Sequence, residues 1–86
     1  MAKPPLPGSI VRREVIIRMR VKQADLARAM CLSRVRISQI LNGRAPITPN
    51  VALRLGKVTA TEPTYWLQLQ SRYDLYVSSK MLKGTM

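Results

Sequence analysis

Between Ser33 and Asn42 the chain reads "SRVRISQILN", and its side chains divide into two chemistries. Placed at about 100° per residue on a helix, Ile37, Ile40 and Leu41 fall on one side and Val35, Gln39 and Asn42 on the other. Arg34 and Arg36 flank that second face. The outward set matches the edges of base pairs in a major groove: glutamine can bond both N6 and N7 of adenine, arginine can grip O6 and N7 of guanine, and valine meets the thymine methyl. An exposed valine gains nothing on a plain solvated helix, so Val35 is the telling residue. Val35, Gln39 and Arg34 are therefore candidates for reading bases, and Arg36 for a base or a phosphate. The other reading is a solvated helix with two surface arginines.

Such a face works only if its helix is held in place, and the residues before it supply the holder. A helix from about Gln23 to Met30 brings Leu26, Ala27 and Met30 to one side, with Asp25 in its positive first turn. Two helices of about eight and ten residues joined by so short a turn form a helix-turn-helix, here spanning 23–42. Ser33 is a good N-cap, and Asn42-Gly43 ends the segment with a glycine suited to a left-handed C-cap. Gln23 at the start of the first of these helices, and Asn42 and Arg44 at the end of the second, fall near the flanking backbone. They are assigned phosphate contacts, which position a protein without specifying sequence.

Three more helices complete an all-α reading with five helices. "PPLPG" makes residues 1–7 an extended lead-in, because proline fixes its own φ and restricts its predecessor. A first helix from about Ser9 to Met19 turns Ile10, Val11, Val15, Ile16 and Met19 inward. A fourth starts at Thr48-Pro49, a cap followed by proline at the first helical position, and buries Val51, Ala52, Leu55 and Val58. The last, 62–78, opens at "TEPTYW" and carries Trp66, Leu69, Tyr73 and Val77 three to four residues apart, with Tyr65, Leu67 and Tyr76 beside them. That stripe either covers the core or forms part of a dimer seam, where aromatic anchors are common. The domain thus occupies 8–78, and 79–86, "SSKMLKGTM" from Ser78 on, is expected to be a disordered tail.

Composition narrows the function. Lys and Arg number 15 against 4 acids, a net charge of +11 spread along the chain. This points to a polyanionic partner, double-stranded DNA before a membrane. No apolar run approaches the roughly 20 residues of a membrane span, and the start has no signal-peptide core, so a cytoplasmic protein is expected. Cys31 is the only cysteine and there is no histidine, so no zinc site or other cofactor is expected. Glu14, Asp25, Glu62 and Asp74 stand singly, without a histidine base, a glycine-rich phosphate loop or an activated nucleophile. The chain does not read as an enzyme.

The segment "QADLARAMCLSRVRISQILNG" resembles the helix-turn-helix of Xre/Cro-type, phage-repressor-like regulators, including the small Ala27 and the apolar Ile37 between the two helices. More specifically, "PGSIVRREVI", "RISQILNGRAPITPNVALRLGKV" and "EPTYWLQLQSRYDLYV" are similar to HigA-type antitoxins of toxin–antitoxin modules, from about Pro7 to Val77. The resemblance implies a homodimer that binds operator DNA, represses its own operon, and neutralises a HigB-like toxin, an mRNA endonuclease. It implies base contacts from Ser33, Arg34, Val35 and Gln39, and backbone contacts from Gln23 and Asn42. It also makes the last helix the dimer-forming end, marked by Trp66, Leu69, Gln70, Tyr73, Asp74 and Leu75; together with the aromatic stripe this sets the expected seam at Trp66, Leu69, Tyr73 and Tyr76. The chain departs from the family in two ways. Ser9 and Arg13 stand where acids are common in the first helix, and Arg20, Cys31 and Ala60 stand near positions where glycine is expected. A non-glycine residue in the left-handed region costs about 1 kcal/mol, so those three junctions are either strained or bent differently. A repressor without a toxin, or a basic module that binds an acidic protein, would share much of this pattern.

Overall fold

In the computed structural model, which describes residues 2–85, five helical segments follow one another and no strand occurs among those residues. Helix α1 (Pro7–Val11) runs directly into a wider π-helical stretch, Arg12–Ile17; then come α2 (Gln23–Ala29), α3 (Arg34–Leu41), α4 (Pro49–Thr59) and α5 (Pro63–Thr85). Proline starts three of them, where its missing N–H costs nothing. Ser33 and Thr48 cap α3 and α4 as their sequence positions suggest, accepting from Arg36 N at 3.0 Å and Val51 N at 3.2 Å. Lys22, before α2, makes no side-chain cap bond.

The core is apolar throughout. Val11 and Val15 from the first helix, Leu26 from α2 and Met30 at its C-cap, Ile37 from α3, Val51 and Leu55 from α4, and Trp66 from α5 are each at most 2% exposed. No polar or charged residue is buried among the described residues, so apolar packing dominates how the helices sit. Gly8 permits the tightest approach. A Cβ there would overlap the Ile40 carbonyl and lie 2.8 Å from that of Leu41, so only glycine lets α1 press against the end of α3.

Two expectations change. The first helix begins at Pro7 rather than Ser9, and its π stretch bonds across five residues, Arg18 N to Arg13 O at 3.0 Å. A π turn holds more residues than an α turn, so the residues beyond it fall out of phase. Ile10, Val11 and Val15 stay buried, but Met19 is 46% exposed instead of inward. At the other end, α5 runs on as a helix to Thr85 in place of a disordered tail after Ser78. It draws the molecule out to 45 Å in its longest dimension against 24 and 22 Å in the others. Met1 and Met86, the ends of the expected lead-in and tail, lie outside the described residues.

The junctions keep the left-handed geometry despite lacking glycine. Arg20, Cys31 and Ala60 all have φ of 55°, and Gly43 has 73°. Each is followed by a residue whose N–H reaches back five positions: Val21 to Ile16 O, Leu32 to Ala27 O, Arg44 to Gln39 O and Thr61 to Gly56 O, at 2.8–3.2 Å. This is the Schellman ending, which satisfies helix-terminal carbonyls. Val21 and Leu32, the residues after two of the left-handed ones, pack on the core as that motif favours. At the α2 end, Arg54 Nη1 also donates to Met30 O at 2.7 Å. The bonds hold the strained conformation without removing its cost. Replacing Cys31 by glycine should therefore raise stability by about 0.5–1 kcal/mol, the left-handed penalty less glycine's extra chain entropy. Urea unfolding checks this; a loss of stability would contradict it.

Candidate nucleic-acid interface

The α2–α3 pair is held from its inner side. Ala27, 2% exposed, is small enough for the two helices to approach, while Ile37, Ile40 and Leu41 bury the whole inward face of α3. Ser33, Arg34, Val35, Arg36 and Gln39 consequently all point to solvent. Val35 is 67% exposed, an apolar side chain kept in water at the centre of a polar face.

One open cleft gathers residues from three elements. Gln23 opens it from the start of α2; Arg34, Val35, Ser38 and Gln39 line it from α3; Arg44 closes it from the loop beyond. Five of the eight residues assigned from sequence to DNA contacts thus meet in one place. No carboxylate lines it, so the cleft is electropositive against the background of +11. Three of the four acids are engaged elsewhere. Asp25 pairs with Arg28 at 3.7 Å, Asp74 accepts from Gln70 at 2.9 Å, and Glu14 accepts from the Tyr65 hydroxyl at 2.5 Å. That bond to Glu14, followed by burial and the nearby negative charge, raises the Tyr65 pKa.

The other three assigned residues sit differently. Ser33 spends its Oγ capping α3. Arg36 is exposed but does not line the cleft. Asn42 is exposed, yet its carboxamide is tied down: Nδ2 donates to Ser38 O at 2.9 Å and lies 3.3 Å from Ser38 Oγ, and Oδ1 accepts from Arg12 Nη2 at 3.3 Å. Ser38 is the cleft residue that sequence reasoning missed. Its position one turn beyond Arg34 was the available signal. The loop that presents Arg44 is itself anchored, since Ile47 N donates to Gln70 Oε1 of α5 at 2.8 Å.

The proposed seam needs correction at its centre. Trp66 is 1% exposed and its indole N–H donates to Thr61 Oγ1 at 2.8 Å, so it belongs to the core of a single chain and cannot meet a second. Its three-to-four spacing with Leu69 marks the inward stripe of α5. Leu69 packs on that core, and Tyr73 and Tyr76 are half-buried. The outward apolar residues of α5 are others: Leu75 is 59% exposed beside a shallow groove formed with Ile47, Leu67, Ser71, Asp74 and Ser78. No group of three or more potential metal ligands occurs among the described residues, and no helix is long and apolar enough to cross a membrane.

Known proteins share this fold. The Helix-turn-helix family model matches residues 13–66. An uncharacterized HTH-type transcriptional regulator of Haemophilus influenzae is 38% identical over 86% of this chain and 69% of its own length. Among solved structures, the Pseudomonas aeruginosa antitoxin HigA, determined with the higBA promoter, superposes with a TM-score of 0.90 at 30% identity, covering 96% of this chain and 90% of that one. An addiction module antidote protein of a HigA family from Coxiella burnetii gives 0.89 at 33% identity, over 98% and 91%. Regulators and antitoxins of this kind act by binding and are not enzymes. On its sequence and its fold, the chain belongs to the helix-turn-helix family of DNA-binding regulators, in the Xre-like branch that holds the HigA antitoxins.

Proposed function

We propose that this chain is a HigA-type antitoxin that represses its own operon from the cytoplasm. Two copies would lay their α3 helices in successive major grooves of a pseudo-palindromic operator, about 34 Å apart. The observation that carries this reading is the cleft itself: base-reading side chains on the outer face of a helix whose inner face is buried, with no acid beside them. In this reading Arg34, Val35 and Gln39 contact base edges, while Gln23 and Arg44 hold the backbone.

The dimer seam follows the outward stripe of α5, Leu67, Ser71, Leu75 and Ser78, in place of Trp66. Two small serines there let a second helix approach closely, and Leu75 gives it apolar surface. A toxin would find no acidic patch on the first helix, because Ser9 and Arg13 replace acids and Glu14 is engaged by Tyr65. The exposed Ile17 and Met19 are what that edge offers a HigB-like partner. The structural likeness to HigA supports this part of the proposal. A repressor without a toxin would share everything except that contact.

Replacing Gln39 or Arg34 should cost about 1–3 kcal/mol of operator affinity and relax preference at one base position, whereas Arg44→Ala should weaken all duplexes alike. Competition binding against single-base operator variants reads the difference, and uniform loss from all three would refute the assignments. Sedimentation tests association. Leu75→Asp should shift the chain to monomer, and the basic product of a short neighbouring reading frame should cosediment with the unaltered protein. A dimer unaffected by the charge removes the α5 seam; no complex with that product removes the toxin.

A further inference from the structure

We propose that Arg12, outside the helix-turn-helix, is a DNA-backbone contact and that Asn42 is the residue that positions it. The inference rests on the operator-binding function proposed for the cleft. Arg12 lies in the π stretch of the first helix, and Asn42 caps the end of α3, thirty positions away. The carboxamide of Asn42 joins the two: its nitrogen is held by the Ser38 carbonyl at 2.9 Å, and its oxygen accepts from Arg12 Nη2 at 3.3 Å. Ser38 in turn lines the cleft, as does Arg44, two residues beyond Asn42. Arg12 is thereby brought to the flank of the recognition helix, on the side where the chain leaves it.

What remains free on Arg12 fixes the chemistry. A guanidinium has five N–H donors, and Asn42 is the one hydrogen-bond partner of the Arg12 guanidinium among the described residues. No carboxylate there lies within ion-pair distance of it. A half-buried cation with most of its donors unspent, beside an acid-free cleft, suits a phosphate oxygen, which arginine can bind with two parallel bonds. The sequence pattern assigns the phosphate contact to Asn42. The geometry points to Arg12, because both ends of the Asn42 side chain are already engaged within the chain. The competing explanation is that Arg12 merely sits at the negative end of the α3 dipole; that role would stabilise the fold but leave the salt dependence of binding unchanged.

The test measures binding of the full chain to its upstream operator and to an unrelated duplex by fluorescence anisotropy across a range of salt. The variants are Arg12→Gln, Arg12→Lys, Asn42→Ala and the double variant Arg12→Gln/Asn42→Ala, each checked for an unchanged melting temperature. Arg12→Gln should weaken both duplexes by roughly fivefold to tenfold per chain near 0.1 M salt and lower the salt slope by about 0.9 per chain. Arg12→Lys should keep the slope. Asn42→Ala should weaken binding alone but add nothing once Arg12 is gone. Binding of Arg12→Gln within twofold of the unaltered chain, an unchanged slope, or additive losses in the double variant would overturn the proposal. If the unaltered chain binds neither duplex, the operator-binding function fails and takes this one with it.

Discussion

The burial of Ile37, Ile40 and Leu41 is the constraint on which the rest depends. These side chains fix the rotation of α3 about its own axis, and rotation is what decides whether Val35 and Gln39 face a groove or the protein. Ile37, Ile40 and Leu41 lie among apolar side chains, and no charged residue is buried among the described residues to help set that angle. It comes from shape: Ala27 leaves room on one side, Gly8 admits the first helix against the Ile40 and Leu41 carbonyls on another, and Met30 and Leu55 fill the space between. A recognition helix aligned in this way is stiff before it meets DNA, so little ordering is needed on binding.

The turns supply the other half of the geometry at a cost. Three non-glycine residues in the left-handed region store about 1–2 kcal/mol each, a large share of the roughly 5–15 kcal/mol that stabilises a typical domain. Each turn is needed because it reverses the chain within a few residues while returning a helix-end carbonyl to a hydrogen bond. The Arg54 guanidinium, bonded to Asn50 and to the Met30 carbonyl, reinforces the most consequential of them, the one between α2 and α3. A small core under that strain gains from association. The exposed Leu75 stripe of α5 and the charged cleft are surfaces through which a second chain and DNA would supply the difference.

Much of this was legible in the residues. The two faces of α3, the caps at Ser33 and Thr48, and the proline starts of α4 and α5 follow from local rules that need no tertiary information, and they appear as read. The left-handed junctions were visible only by comparison with a glycine pattern, which left strain and rearrangement as equal alternatives; the backbone chose strain. What could not be read depends on contacts between distant segments. Trp66 has the spacing of a seam, yet Thr61 and the core claim it. Asn42 points outward on a wheel, but Arg12 and Ser38 engage its side chain. The π stretch has no local sequence signature and changes the phase of everything up to Arg20.

The central claim is that α3 reads base edges from two copies placed symmetrically on one operator. Hydroxyl-radical footprinting of the DNA upstream of the gene addresses it directly. The account predicts two short protected stretches related by a pseudo-twofold axis, their centres about one helical turn, roughly 10 base pairs, apart. Continuous protection that ignores sequence, or none at all, would contradict it.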